Sequence, residues 1–307
     1  MKDNLIKKSY ISAFDIDDKY LKDLIVISTK CLVDDNIQRC VYIDNNRLRD
    51  ELIYYRFYGE KPSYNNIINI LLPVIISNTN IKKSEDEVVE LIQKYVKYFK
   101  KEDYLFEYIL SSVLYNSTIH SIIENKTIEY KDLLQKIKER IIEFTISLDK
   151  SNTIKFHMAR INIIQKIDKY IDLKVEDYDD DKISVSLLNV LYDIYIEDRE
   201  VKDCGSKSIK KSILSILGEN ENQNIDNIDF ILSMSDYIVK LIHYKINKKI
   251  YHKNSDPRYL INLNEGDTHK DPIFNNIKIV SKYFNNNILN INIKSKSGIY
   301  MLKFKKS

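Results

Sequence analysis

Tyr104-Leu105-Phe106-Glu107-Tyr108-Ile109-Leu110-Ser111-Ser112-Val113-Leu114-Tyr115-Asn116-Ser117-Thr118-Ile119-His120 is the stretch from which the fold is read. Apolar residues recur three and four apart, at Leu105, Phe106, Ile109, Leu110, Val113 and Leu114, which is the period of a helix. Few strongly polar residues interrupt them. A helix that is apolar on most of its circumference is a buried one, so this segment is the expected centre of a helical core. Asn116-Ser117-Thr118 has the pattern of a glycosylation sequon, but its place inside an apolar-periodic stretch makes it accidental.

Working outward, the same period continues on both sides. Ser84-Glu85-Asp86-Glu87 reads as a capping box, with the Ser hydroxyl accepting a free first-turn N–H and Glu87 reaching back. The stripe Val88, Val89, Leu91, Ile92, Tyr95, Val96 and Phe99 follows it. Before it, Leu21, Leu24, Ile25, Ser28 and Leu32 lie at helical spacing, and Arg47 to Tyr58 forms a helix closed by Gly59 and Pro62. After the central stretch come Ile128 to Phe144, then Ile154 to Ile171 lined by Ile161, Ile164 and Ile167. Further helices are expected over Ser184 to Ile196, Ser208 to Leu217 and Ile228 to Ile250. Glu176-Asp177-Tyr178-Asp179-Asp180-Asp181 reads as a solvated acidic loop, because the Gly and Glu positions of a calcium loop are not met.

The end of the chain differs in kind. Ile288 to Ile293 and Tyr300 to Phe304 alternate apolar and polar residues, the period of a half-buried strand. Lys296-Ser297-Gly298 between them suits a hairpin turn, and Ile273 to Phe284 fits both periods. The fold class is therefore mainly α: a multi-helix body over residues 1–250, and a small β-hairpin or α/β tail over residues 251–307. Residues 244–307 hold 13 Lys/Arg against 4 Asp/Glu, a net of +9; the total is +3, so the first 243 residues carry −6. A basic tail on an acidic body is the main charge asymmetry.

Composition narrows the function. The 307 residues include 5 Gly, 4 Pro and no Trp, too few glycines for the phosphate cradles of nucleotide-binding folds. Three cysteines at irregular spacing fit no zinc pattern and read as reduced thiols. No stretch approaches the run of about 18 apolar residues that a membrane span needs, and the N-terminus lacks the pattern of a signal peptide. A soluble, cytoplasmic protein is expected. The five histidines are scattered; His157 with Arg160 on one helix is the pair most suited to an anion.

Two carboxylate groups stand far apart in the sequence: Asp34 and Asp35 in Val33-Asp34-Asp35-Asn36, and Asp267 and Asp271 in Gly266-Asp267-Thr268-His269-Lys270-Asp271. Hard divalent cations take oxygen ligands, and two such ions clamp an oxygen-rich substrate and activate a water. The arrangement resembles the ADP-ribosylglycohydrolase family, with its early Thr-Asp-Asp-Thr and late Gly-Asp-Thr-Asp-Thr motifs. Asn66 to Asn78, with Leu72-Pro73, is loosely similar to the segment after the first motif. Val33 and Asn36 replace both Thr of the early motif, and Asp271 is what remains for the last carboxylate of the late one. The resemblance implies an all-helical fold, Mg²⁺ as cofactor with Asp34, Asp35, Asp267 and Asp271 as ligands, and a hydrolase or its inactive relative.

The other reading is a non-catalytic binding or regulatory protein. Lys294, Lys296, Lys303, Lys305 and Lys306 surround the expected hairpin together with Tyr300. Basic strands with interleaved aromatics follow a phosphate backbone and stack bases, so nucleic acid or another acidic partner is one reading of this surface. Outward lysines also protect an edge strand from pairing with other chains, and in so Lys-rich a sequence that protective reading is the one favoured.

Overall fold

In the computed structural model, which describes residues 2–61, 66–175, 183–197, 201–219, 225–246, 251 and 255–305, helices dominate. They are α1 (Lys2–Ser12), α2 (Lys19–Lys30), α3 (Asn45–Tyr58), α4 (Leu72–Ser77), α5 (Ile81–Tyr98), α6 (Leu105–Glu124), α7 (Tyr130–Glu143), α8 (Lys150–Ile171), α9 (Ile183–Tyr195), α10 (Cys204–Leu217) and α11 (Ile228–Ile242). The strands are β1 (Leu32–Asp35), β2 (Cys40–Ile43), β3 (Thr268–Asp271), β4 (Asn275–Asn285), β5 (Ile288–Ser295) and β6 (Gly298–Lys305). The protein is mainly α, and no helix among the described residues is long and apolar enough to cross a membrane. The acidic run 176–181, Pro62 and Lys306 lie outside the described residues.

The central stretch is α6, which packs against α4, α5, α7, α8, α9 and α10. Some of its buried polar groups link it to neighbouring helices, whereas Ser111 Oγ and Tyr115 Oη are buried without a hydrogen-bond partner among the described residues. The Ser84 hydroxyl donates to Asn116 Oδ1 at 2.7 Å, and Asn116 Nδ2 donates to the Ile81 carbonyl at 3.1 Å. Asn116 is thus a buried helix-helix link. Ser84 is not the expected cap: α5 begins a turn earlier, where Asn80 Oδ1 accepts from the N–H groups of Lys82 and Lys83 at 3.0 Å each. Asn80 closes the free N–H groups, which leaves Ser84 available to α6.

Three further expectations change. Leu32 leaves the helical pattern and enters β1, because a short antiparallel hairpin, Leu32↔Ile43 to Asp35↔Cys40, is inserted between α2 and α3. Val41-Tyr42-Ile43 after the turn residues Asp35-Asn36 was its local signal. The last helix, α11, stops at Ile242 instead of continuing to Ile250. In α8 the core face is Phe156, Ile163, Ile167 and Tyr170, whereas Ile161 points to solvent.

The tail is a four-stranded antiparallel sheet in the order β3-β4-β5-β6, so the ambiguous segment 273–284 is a strand. The β5–β6 turn needs Gly298, whose φ is +135°, a conformation that side chains disfavour. One face of the sheet forms a second hydrophobic core: Ile277, Ile279, Ile291, Ile293, Tyr300, Leu302 and Phe304 pack with Tyr54, Phe57 and Tyr58 of α3. The sheet is thus docked on the helical body through α3.

Candidate functional site

Strand alternation sends every second residue of the sheet to the face away from α3. On β3 this is Thr268 and Lys270, on β4 Asn276 and Lys278, on β5 Lys294, and on β6 Ile299, Met301, Lys303 and Lys305, and all of these side chains are exposed. A bulge at Val280 shifts the β4 register between Ile279 and Ser281. One inserted residue reverses the alternation, so Tyr283 joins this outer face, where its hydroxyl lies 3.5 Å from Met301 Sδ. The sequence contains no Asp or Glu after Asp271, so the outer face of β4, β5 and β6 carries no acidic residue.

Lys278 and Lys294 stand directly opposite each other across β4 and β5, the two central strands. Like charges so placed oppose pairing. Protection of an edge strand explains lysines on β3 and β6 but not these two. None of Lys270, Lys278 and Lys294 has an ion-pair partner among the described residues. With Thr268, Asn276 and Ser295 they line an open depression of about 570 Å³.

The other sequence-level residues of this surface divide. Lys296 is exposed at the tip of the β5–β6 turn, Lys305 is exposed on the outer face, and Lys303 reaches Glu60 at 3.8 Å. Lys306 is not among the described residues. Tyr300 is a correction: it points inward, 6% exposed, with its ring 4.9 Å from that of Tyr58 and its hydroxyl donating to Ser297 Oγ. Burial pushes its phenol pKa up. Its place on the apolar register of β6 turns it inward, and Tyr283 is the aromatic residue on the outer face. Sequence reading missed Tyr283, Lys278 and Lys270, because the period of 273–284 is obscured by the bulge.

Each of the four carboxylates expected to hold Mg²⁺ has hydrogen-bond partners of its own. Asp34 is buried on β1 with Oδ2 accepting from the Ile246 N–H at 2.9 Å, and Asp35 Oδ1 closes the β1–β2 turn on the N–H groups of Ile37 and Gln38. Asp267 Oδ2 accepts from the Asn264 N–H at 2.7 Å. Asp271 is buried, and its two oxygens accept four hydrogen bonds: Tyr54 Oη at 2.9 Å, Tyr259 Oη at 2.6 Å, and the N–H groups of Ile273 and Phe274 at 2.6 Å each. Among the described residues, no group of three or more His, Cys, Asp or Glu could hold a metal ion. Arg160 does not hold an anion with His157; it donates to the carbonyls of Ile142 and Phe144 and stacks 4.6 Å over Phe156.

A buried ionic network fixes the sheet in place. Glu51 Oε1 accepts from Arg47 Nε at 3.0 Å, Arg47 Nη2 at 2.7 Å and Lys30 Nζ at 2.6 Å. Arg47 also donates to the carbonyls of Pro272 and Ile273, at 2.7 and 3.0 Å. On the same helix Asp50 Oδ2 accepts from the Tyr251 hydroxyl and the Ser255 N–H, and Asp44 Oδ2 accepts from the Tyr251 N–H. The inner side of the sheet is engaged by this network, in which Glu51 Oε2 alone stays without a hydrogen-bond partner among the described residues, whereas on the outer side Lys270, Lys278 and Lys294 have no ion-pair partner among them.

No protein-family model matches the chain, and no curated protein or solved structure does either.

Proposed function

We propose that the protein is a non-catalytic binding protein whose C-terminal sheet docks nucleic acid on its outer face. The observation that carries this reading is the Lys278/Lys294 pair: two cations opposed on central strands, beside Lys270 and within reach of Tyr283, with no acidic residue among them. A phosphate backbone removes the repulsion and releases its own counterions. Tyr283, Met301 and Ile299 offer surfaces on which unpaired bases stack, which favours a single strand over a duplex. A hydrolase would need the carboxylates of Asp34 and Asp267 to share a metal centre; each is instead engaged by a different backbone amide, so that activity is not the one proposed.

The test is fluorescence anisotropy of the full chain with a labelled oligothymidine or oligouridine over a range of salt. Engagement of five lysines gives a log–log salt slope of about −3.5, at roughly 0.7 per phosphate contact. Lys278→Glu with Lys294→Glu lowers affinity by roughly tenfold or more, about 1.4 kcal/mol, and flattens that slope. Absent binding, or binding indifferent to salt and to the double substitution, overturns the proposal.

A further inference from the structure

The helix α8 carries a second surface, independent of the sheet. Its core side is Phe156, Ile163, Ile167 and Tyr170. Diametrically opposite, at steps of four and three residues, stand Ile154, Met158 and Ile161, exposed by 64%, 62% and 54%. That spacing is the narrow a/d seam of a coiled coil rather than the broader stripe of a core-facing or membrane-lying helix. Gln165 and then Asp168 continue the row, so its apolar part is confined to Ile154, Met158 and Ile161. Nearby, at the end of α7, Ile142 is 49% exposed, and its carbonyl accepts from Arg160 on α8.

The flanks of the seam decide what fits it. On one side lie Lys155, Asn162 and Lys169, and on the other Lys150, His157 and Ile164. None of these is acidic, and the four basic side chains are exposed. Asp168, the nearest carboxylate on the helix, is engaged by Lys138 at 2.5 Å. A second copy of α8 is disfavoured in both orientations: antiparallel pairing sets the Lys155 and Lys169 side against itself, and parallel pairing sets Lys150 and His157 against it. An anionic membrane asks for a wide apolar face with large side chains, and three residues in a line do not supply one.

We infer that the outer seam of α8 is a docking site for an acidic amphipathic helix of a partner protein, with apolar residues at its own a and d positions and Glu or Asp at e and g. Apolar burial along the seam supplies the affinity, and the Lys flanks select against basic or self-paired helices.

The experiment uses the full chain and two labelled synthetic helices of about three heptads, both with Leu at a and d, one with Glu at e and g and the other with Lys. The Glu-flanked peptide is expected to bind at least roughly tenfold more tightly than the Lys-flanked one. Met158→Asp with Ile161→Asp abolishes that binding while the circular dichroism and Tm stay unchanged, since both positions are exposed. Lys155→Glu with Lys169→Glu reverses the preference. Four results overturn the inference: no binding of either peptide; equal binding of both; Glu-peptide binding that survives Met158→Asp with Ile161→Asp; or self-association, or attachment to phosphatidylserine vesicles, that the same pair of substitutions removes.

Discussion

At the scale of single residues, burial changes what a carboxylate does. Asp23 on α2 has Oδ2 buried without a hydrogen-bond partner among the described residues. Burial raises the phenol pKa values of Tyr55, Tyr58 and Tyr300, and the nearby Asp23 carboxylate adds to that rise. Desolvation lifts its own pKa from 3.8 to about 7, against the pull of Lys19 and Lys30. The folded state therefore holds this proton more tightly than the unfolded one, and stability falls as pH rises from about 4 to about 7. Asp23→Asn removes that slope; the variant is expected to exceed the parent in stability at pH 8 and to match it near pH 4, measured by urea unfolding. His120 acts with the opposite sign. Burial lowers its pKa from 6.5 to about 4, so its contribution is lost as pH falls through that interval. Neither effect was legible in the sequence, where Asp23 is one acid in a charged helix and His120 one of five scattered histidines.

At the scale of elements, local period located most helices, and tertiary partners set their ends and faces. Asn80 caps α5 in place of Ser84, whose hydroxyl is left to donate to Asn116 on α6. In α10, Gly205 meets the segment before α4: an added Cβ would lie 2.5 Å from the Asn66 carbonyl oxygen. Beside it Asn66 Nδ2 donates to Ser206 Oγ at 2.9 Å and Asn69 Nδ2 to Ser208 Oγ at 3.3 Å. Ala favours a helix over Gly by up to about 1 kcal/mol, while forced overpacking costs about 1–3 kcal/mol. The contact is with backbone, which yields little, so the clash dominates. Gly205→Ala is expected to lower stability by about 1–2 kcal/mol, read from the urea midpoint at unchanged m. In the fold Gly205 is thus a packing contact.

At the scale of the whole molecule, the tail docks through its apolar face on α3 and through buried hydrogen bonds rather than through its basic surface. Arg47, Asp44 and Asp50 of α3 bind backbone groups and Tyr251 near the start of the tail, and Asp271 gathers Tyr54, Tyr259 and two N–H groups. Among the described residues, the ion pair joining body to tail is Lys303 with Glu60, exposed and at 3.8 Å, and such pairs contribute little. The other lysines of the outer face are consequently not tied to the helical body by ion pairs among the described residues. Asp271→Ala strands the buried Tyr54 hydroxyl and two N–H groups, at about 1–3 kcal/mol for each group left unmade. The expected outcome is a loss of about 3–5 kcal/mol and earlier exposure of the 255–305 amides in hydrogen exchange, with the helical body less affected.

The sequence by itself determined the helical body, the two strands with clean alternation, the turn at Gly298 and the division of charge between body and tail. These rest on propensity and period over neighbouring residues, which a single chain displays directly. Only the tertiary structure decided the rest. It packed Tyr300 inward against Tyr58 on the register of β6 and turned Tyr283 outward through the bulge at Val280. It made Asp271 a hydrogen-bond acceptor for α3 rather than part of a metal group, and exposed the Ile154-Met158-Ile161 seam of α8. Each of these depends on a register or a partner that local period does not encode. A one-residue shift reverses every side chain of a strand, and a helix stripe does not say which of its faces finds the core.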